Sequence, residues 1–308
     1  MFSSIDFRHG YYQVQISPKD RHKTAFWVEN MGQLAWNVSA QGLVNCPATF
    51  SRIMHRIFRK QIENNEVETY LDDVLCHSKT HSDMFRILRD LFVNLSNSGL
   101  KMNLQKCKFG ADKLNYLGFE INKDGYCPSQ ANISTNLKAK PPTSLKMVKS
   151  FIGLLTFYHG SIRNYTKLIK PLSQLTSKKS NWHGGDLPPA ALVAFQKSKE
   201  IMSKKPFIHH PNFDWQMHVY SDDSLGQFGA DTGGLSGCLV QYENDDKTAP
   251  PRCLGFCSRS LKQNELGYSS FLLENAALSF TIDHFQRYLE GVHFHAYVTT
   301  IRWSNWEN

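Results

Sequence analysis

The run Glu68-Thr69-Tyr70-Leu71-Asp72-Asp73-Val74-Leu75-Cys76 limits what this chain can fold into more than any other stretch. Val67, Thr69 and Leu71 alternate with polar neighbours, and Val74 and Cys76 resume the alternation beyond the acid pair. A period of two belongs to strands with one buried face, so the spacing predicts two short strands with the carboxylates at a tight reversal between them. Asp-Gly or Asn-Gly eases such a reversal because both residues accept the left-handed conformation. Asp-Asp does not, and two like charges side by side push one pKa up unless something positive sits between them. Read as structure alone, the pair is an acidic, solvated turn. Read as chemistry, it is a divalent-metal site in which Mg²⁺ supplies the missing charge.

Charge is informative once it is located. The net charge is +8, yet between Asp124 and Asp186 there is no Asp or Glu, while the same window carries Lys138, Lys140, Lys146, Lys149, Arg163, Lys167, Lys170, Lys178 and Lys179. A solvated face mixes signs, so this pattern points to a polyanion partner, with nucleic acid first because Lys and Arg contacts to phosphate carry non-specific affinity. A membrane surface would call for an amphipathic helix with strong basic and aromatic faces, which the sequence lacks. At 308 residues and 41% apolar, the chain is long and apolar enough for two or three globular domains. It has no run of 18 apolar residues and no signal-peptide pattern at Met1-Phe2-Ser3-Ser4. Its seven cysteines are odd in number and scattered, as expected of reduced thiols in a cytoplasmic or nuclear, not secreted, protein. Cys253 and Cys257 lack a second ligand pair at finger-like spacing and read as strand-core residues.

Along the chain, Asp6 follows Ile5 at a strand end, Gly10 offers a turn, and Tyr12, Val14 and Ile16 alternate as a following strand. Asn45 and Pro47 suit the start of a helix whose apolar stripe is Phe50, Ile53, Met54, Ile57, Phe58 and Ile62. Its other face, with Arg52, Arg56, Arg59 and Lys60, suits either solvation or a partner. Ser82 caps a second helix burying Met84, Ile87, Leu88, Leu91, Phe92 and Leu95 and stopped by Gly99; residues 114–121 close the unit as a strand. That order of strand, helix, hairpin, helix and strand describes an α+β layer with helices on one face, bounded by Lys123-Asp124-Gly125. Thr143 is placed to cap a helix with Val148, Phe151, Ile152, Leu155 and Tyr158 inward, and residues 181–189 form a connector. From about residue 206 a second α+β unit begins. Trp215, Met217 and Val219 lead into Ser221-Asp222-Asp223-Ser224, strands follow at 236–241 and 252–258, a helix at about 268–289 carries Glu274, and His293 to Val298 forms a last strand.

In order, Asp6-x-x-x-Gly10-Tyr11, Gln41-Gly42-Leu43-x-Asn45-x-Pro47-Ala48-Thr49-Phe50, Tyr70-Leu71-Asp72-Asp73 and Asn115-Tyr116-Leu117-Gly118-Phe119 resemble the palm motifs of reverse transcriptases. The segment from Val148-Lys149-Ser150-Phe151-Ile152-Gly153-Leu154 to Pro171-Leu172 resembles the connection of gypsy-type long-terminal-repeat retrotransposons. Ser221-Asp222-Asp223-Ser224 and Tyr268-Ser269-Ser270 with Glu274 resemble the ribonuclease H domain of those polyproteins. The resemblance covers nearly the whole chain and implies a polymerase palm at 1–125, a basic thumb or connection region at 126–205 and a truncated ribonuclease H-like domain at 206–308. It implies an RNA-directed DNA polymerase in which Asp6 and Asp72 hold two Mg²⁺ ions and Asp73 completes the acidic triad, acting on deoxynucleoside triphosphates and a DNA primer on an RNA or DNA template. Tyr11 would lie under the incoming sugar, with Gln41 beside it, where the gypsy pattern usually has Phe. Leu117 and Gly118 would belong to the primer grip, and Asp222 and Glu274 would be remnants of a nuclease site.

The sequence departs from the family pattern in three places. It opens at the first palm motif, so the fingers are expected to be largely missing and other parts of a polyprotein to supply them. The loop from Leu225 to Ser236 is long and glycine-rich. The next nuclease carboxylate falls at Thr299 or Thr300, neither of them an acid. Ribonuclease H activity is therefore not expected. The rival expectation is a decayed or co-opted element that binds nucleic acid without catalysis.

Overall fold

The computed structural model describes residues 1–224 and 233–298, the side chains of Asp223 and Ser224 excepted. The fold is mixed α+β and divides into two compact units: Met1–Leu117 with Ile121–Lys123, and Gly118–Glu120 with Asp124 onward.

The first unit is built on a four-stranded sheet. Its strands are β1 (Phe2–Asp6), β4 (Val67–Tyr70), β5 (Asp73–His77) and β6 (Lys108–Ala111), in the order β4-β5-β1-β6. The short strands β2 (Phe26–Val28) and β3 (Gly32–Leu34) form a separate hairpin, and β7 (Lys113–Tyr116) follows β6. Helices α1 (Cys46–Ile57), α2 (Arg59–Glu63) and α3 (His81–Ser98) complete the unit. Alternation in β1 sends Ser3, Ile5 and Phe7 inward. There Ile5 and Phe7 meet Phe50, Met54 and Phe58 from around α1, Met84, Ile87, Leu91 and Leu95 from α3, and Val67, Val74 and Cys76 from β4 and β5. The acid-bearing positions of β1 and β5 consequently lie on the face turned away from this core.

Several local expectations give way to tertiary context. Gly10–Gln13 is a 3-10 turn, so Tyr12 and Val14 do not form a strand; His9 before it takes the left-handed conformation with φ 51°. Leu71 is a turn residue and not the end of the alternating strand. Asn45 precedes α1 without a side-chain capping bond. Thr80, not Ser82, caps α3, accepting the Asp83 N–H. Phe92 stays 38% exposed and packs edge-on to Phe109 instead of entering the core. Residues 114–121 are not one strand: the chain leaves β7, passes Leu117 and Gly118 with φ of 48° and 83°, and enters β8 (Phe119–Asn122).

In the second unit β9 (Gly125–Pro128) pairs antiparallel with β10 (Ile208–His209). Helices α4 (Gln130–Lys138), α5 (Leu145–Phe157), α6 (Tyr165–Leu175) and α7 (Pro189–Ser203) follow β9. Ser144, and not Thr143, caps α5 by accepting the Met147 N–H. Val148, Phe151, Leu155, Tyr158, Leu172 and Phe195 form the centre of this helical core. Beyond it lie β11 (Met217–Ser224), β12 (Gly234–Gln241), β13 (Arg252–Ser260), α8 (Ser270–His284), α9 (Gln286–Leu289) and β14 (Phe294–Val298). The sheet order is β13-β12-β11-β14, with β14 parallel to β11 and reached through α8 and α9. Residues 225–232 and Thr299 and Thr300, on which the long-loop and missing-carboxylate expectations mostly rest, lie outside the described residues. Cys253 and Cys257 are buried on β13 as expected, and all seven cysteines are free.

Helix α8 sits tightly on β12 because Gly237 has no side chain. A Cβ there would overlap the hydroxyl and methyl of Thr281, which is fully buried. Gly237→Ala is expected to destabilise the second unit by about 1–3 kcal/mol, as overpacking does. Its denaturation midpoint measures this, and an unchanged midpoint would mean that α8 is not seated on β12 at this point.

Candidate active site

The acids of the first unit meet because of strand register. β1 and β5 run antiparallel with Ile5 opposite Val74 and Asp6 opposite Asp73. Side chains directly opposite share a face with Cβ atoms about 4.5–5.5 Å apart. β4 and β5 close with Tyr70 opposite Asp73, so Leu71 and Asp72 are the two-residue loop. Leu71 takes φ 55°, a conformation that costs a branched residue. Backbone strain of this kind is found where the surroundings over-determine a functional geometry. Asp72 is thereby held at the tip of the hairpin, exposed, beside the half-buried Asp73 and Asp6.

Electrostatics agree with this placement. Burial first, then the charges of Asp72 and Asp6, push the Asp73 carboxyl above its ordinary value. No described cation forms an ion pair with any of the three. The backbone of Asp6 is fixed from the far side: its carbonyl accepts the Asn103 N–H at 2.9 Å, and its own N–H donates to Cys107 Sγ at 3.4 Å. Tyr116 donates its hydroxyl to the Asp73 carbonyl at 3.5 Å, and burial followed by the Asp73 charge raises its pKa.

Gly10 and Tyr11 complete the site. A Cβ on Gly10 would lie 3.1 Å from the Phe50 ring and 3.4 Å from Asp72 Cβ, so the glycine admits both neighbours. Tyr11 packs edge-on against Phe50 with ring centroids 5.4 Å apart. Burial, and next the Asp72 carboxylate, raise its hydroxyl pKa. Gln41 is exposed in the turn that leads into α1, next to the buried Ala40. Nothing in the structure ties its side chain to Tyr11. Gly118 is gripped by its own carbonyl, which accepts from Ser129 N at 3.0 Å, Tyr158 Oη at 3.1 Å and Asn132 Nδ2 at 3.2 Å. Leu117 is partly exposed at 36%.

The donor set consists of hard carboxylate oxygens, which suits Mg²⁺. Among the described residues no group of three or more His, Cys, Asp or Glu side chains is arranged to cage a metal by itself. That fits an ion of this kind, which binds through one or two carboxylates together with substrate phosphates and water, and not in an all-protein cage.

Asp222 and Glu274 lie on β11 and α8, two elements that pack against each other. Asp222 is half-buried on β11; burial raises its carboxyl pKa, while Arg163 and Lys167 act to lower it. Glu274, in α8, is not among the charges acting on it. Of the basic window, Lys138, Lys140, Lys146, Lys149, Lys167, Lys178 and Lys179 are exposed, whereas Arg163 and Lys170 are half-buried. Sequence reasoning missed Asn103 and Cys107, whose bonds to Asp6 follow no motif spacing. It also took Gly10 only as a turn former, although its proximity to Phe50 and Asp72 explains why the motif carries glycine.

Comparison with known proteins agrees with this architecture. Residues 1–121 match the reverse transcriptase (RNA-dependent DNA polymerase) family, and residues 188–296 match the RNase H-like domain found in reverse transcriptase. The chain is 28% identical over 291 residues to the transposon Tf2-3 polyprotein of Schizosaccharomyces pombe, covering 94% of this chain and 21% of that protein. It is 28% identical over 298 residues to the retrovirus-related Pol polyprotein from transposon opus of Drosophila melanogaster, covering 94% of this chain and 28% of that one. The chain thus spans well under a third of the length of these relatives. A foamy viral protease-reverse transcriptase in complex with dsDNA superposes with a TM-score of 0.80 at 19% identity, over 99% of this chain and 60% of that chain. The same viral protein in complex with an RNA/DNA hybrid gives 0.77 at 19% identity, over 96% of this chain and 38% of that chain. At such identity the likeness is one of fold. No helix among the described residues is long and apolar enough to cross a membrane. The chain thus joins a reverse transcriptase domain to the RNase H-like domain found in reverse transcriptase, and is homologous to a part of the polyproteins of gypsy-type retrotransposons.

Proposed function

We propose that the chain carries the catalytic palm of an RNA-directed DNA polymerase, with Asp6, Asp72 and Asp73 as its acidic triad. The observation that carries this reading is the β1/β5 register, which sets Asp6 opposite Asp73 while the hairpin sets Asp72 beside it. Two carboxylates opposite each other on the sheet and a third at the adjoining hairpin tip, with no described cation paired to them, form an electrostatic gap that a divalent ion would fill. Asp6 and Asp72 would hold two Mg²⁺ ions, whose chemistry is to lower the pKa of the primer 3′-hydroxyl and to neutralise the leaving pyrophosphate. Asp73, with its raised pKa, tunes the charge of the pair. Tyr11, braced by Phe50, offers its ring to the sugar of the incoming deoxynucleotide, and Gln41 lies on the segment that borders it. Leu117 and Gly118 would hold the primer end, and the exposed lysines of the acid-free window would follow the template–primer backbone. In this reading residues 1–125 are the palm, 126–205 the connection and 206–308 the ribonuclease H-like domain, working with other parts of a polyprotein.

Primer extension with Mg²⁺ tests the assignment through the Asp variants argued in the Discussion. Two further outcomes are expected. Tyr11→Val removes the ring that blocks a 2′-hydroxyl and should raise ribonucleotide incorporation relative to deoxynucleotide by roughly 10–100-fold, the range of a steric discrimination; an unchanged ratio places Tyr11 away from the sugar. The second domain should leave the RNA strand of an RNA/DNA hybrid intact, because threonines at 299 and 300 stand where the family's next acid is expected and do not hold Mg²⁺ as a carboxylate would; hybrid cleavage would refute this. A second reading is nucleic-acid binding without catalysis, which the exposed lysines of the acid-free window would serve equally well. Salt-dependent hybrid binding with no primer extension would decide for it.

A further inference from the structure

Asp222 shares a cavity with residues that precede and open α6. Arg163 and Asn164 line it from that side, and Asp222, Ser236, Cys238 and Phe256 from the sheet. Its volume is about 10 Å³, room for a single water. Mg²⁺ keeps several waters about it, and such a shell does not fit this space.

The chain around Arg163 is laid directly on β13. The Thr166 N–H donates to Ser258 Oγ at 3.0 Å, and the two hydroxyls lie 3.0 Å apart. The two backbones run side by side here: a Cβ on Gly255 would make ordinary contact, 3.9 Å, with the Gly160 carbonyl oxygen, and one on Gly160 would lie 4.0 Å from that of Phe256. Asn164 takes φ 50° at the start of α6, turning the chain between Arg163 and the helix. Lys167, one turn into α6, also acts on the Asp222 carboxylate.

We infer that Asp222 serves as an anchor for the connection: its carboxylate faces Arg163 across this cavity and holds it there, where a nuclease would hold a metal ion. One cation of the acid-free window, Arg163, is thus used within the chain, and the exposed lysines remain for a polyanion. The inference rests on the reading that the second domain is not a nuclease, and it adds what the leftover carboxylate does instead. A half-buried carboxylate without a cation would be costly, and Arg163 offsets that cost while fixing where α6 begins.

The test is a double-mutant cycle in the full chain, with Asp222→Asn, Arg163→Met, both together, and Arg163→Lys, read by thermal unfolding with and without millimolar Mg²⁺. Each single neutral variant should lower the midpoint by about 2–4 °C. The double variant should be no worse than the poorer single one, and Arg163→Lys should recover most of the loss because it keeps the charge. Mg²⁺ should shift wild type and Asp222→Asn equally. Additive losses, or a midpoint raised by Asp222→Asn, overturn the anchor. So does a Mg²⁺-dependent rise that Asp222→Asn abolishes, because it would assign the carboxylate to a metal. Hybrid cleavage that depends on Asp222 would sink the nuclease-free reading itself, whereas an additive cycle without cleavage sinks only the anchor.

Discussion

Replacing Asp72 or Asp6 with Asn is expected to abolish Mg²⁺-dependent primer extension, by on the order of 10³-fold or more, without unfolding the protein. Asn keeps the size and shape of Asp but removes the charge that a divalent ion needs. The effect on stability should have the opposite sign to the effect on activity. Asp73 has a raised pKa partly because Asp72 and Asp6 repel its charge, so at neutral pH the cluster of like charges works against folding. Taking one charge away relieves that repulsion, and the denaturation midpoint should hold or rise while extension is lost. Both quantities are measured on the same preparations, by extension of a labelled primer and by thermal unfolding. Extension that survives in either variant removes the triad assignment. A midpoint that falls several degrees would mean that the loss of activity reflects damage to the sheet and not the loss of a ligand.

The largest stability effect is expected at Glu265 in the second unit. Arg259 grips this carboxylate with both terminal nitrogens, at 2.6 and 2.7 Å, and the Lys262 N–H donates to it at 2.7 Å. The guanidinium in turn lies over the Phe280 ring, 5.2 Å from its centroid. The Glu265 side chain is 8% exposed and that of Arg259 is 25% exposed, so water screens the pair little. The Arg259 fork, helped by the Lys262 N–H, holds the Glu265 carboxyl down at about 2 against an ordinary 4.5. A depressed carboxyl pKa gives stability that is fully present above the unfolded value and lost as the pH falls toward the folded one. Glu265→Ala should therefore cost roughly 3 kcal/mol at neutral pH, since it leaves a partly buried guanidinium without its partner. The gap between wild type and variant should close between about pH 4.5 and 2. Urea denaturation across that pH range measures it. A gap that does not change with pH would show that the loss comes from packing and not from the ion pair.

Some of this protein was readable without coordinates because local chemistry and tertiary demand agree. The stripe of Met84, Ile87, Leu88, Leu91 and Leu95 forms a helix at its own period and also packs against the apolar residues of α1, β1, β4 and β5. Gly99 ends that helix at φ 73°, as a residue without a Cβ should. Elsewhere a local preference had no such ally. Tyr12, Val14 and Ile16 alternate like a strand, but the close approach of Phe50 and Asp72 around Gly10 bends the chain into a 3-10 turn. Residues 114–121 read as one apolar strand, yet the bonds that converge on the Gly118 carbonyl come from Ser129, Asn132 and Tyr158, and they hold a turn there. Phe92 fits the buried stripe by spacing and is left outside because Leu88, Leu91 and Leu95 already fill it.

Sequence alone singled out the candidate residues: acids at a strand end and a strand reversal, a tyrosine after a glycine, and a basic window without a single acid. Residue identity and short-range period suffice for that, because each is written along the chain. Only the folded chain decided which of those groups share a site. Asp6 reaches Asp73 through the register of a strand pair whose partners lie 67 positions apart, and register depends on which faces must be buried together.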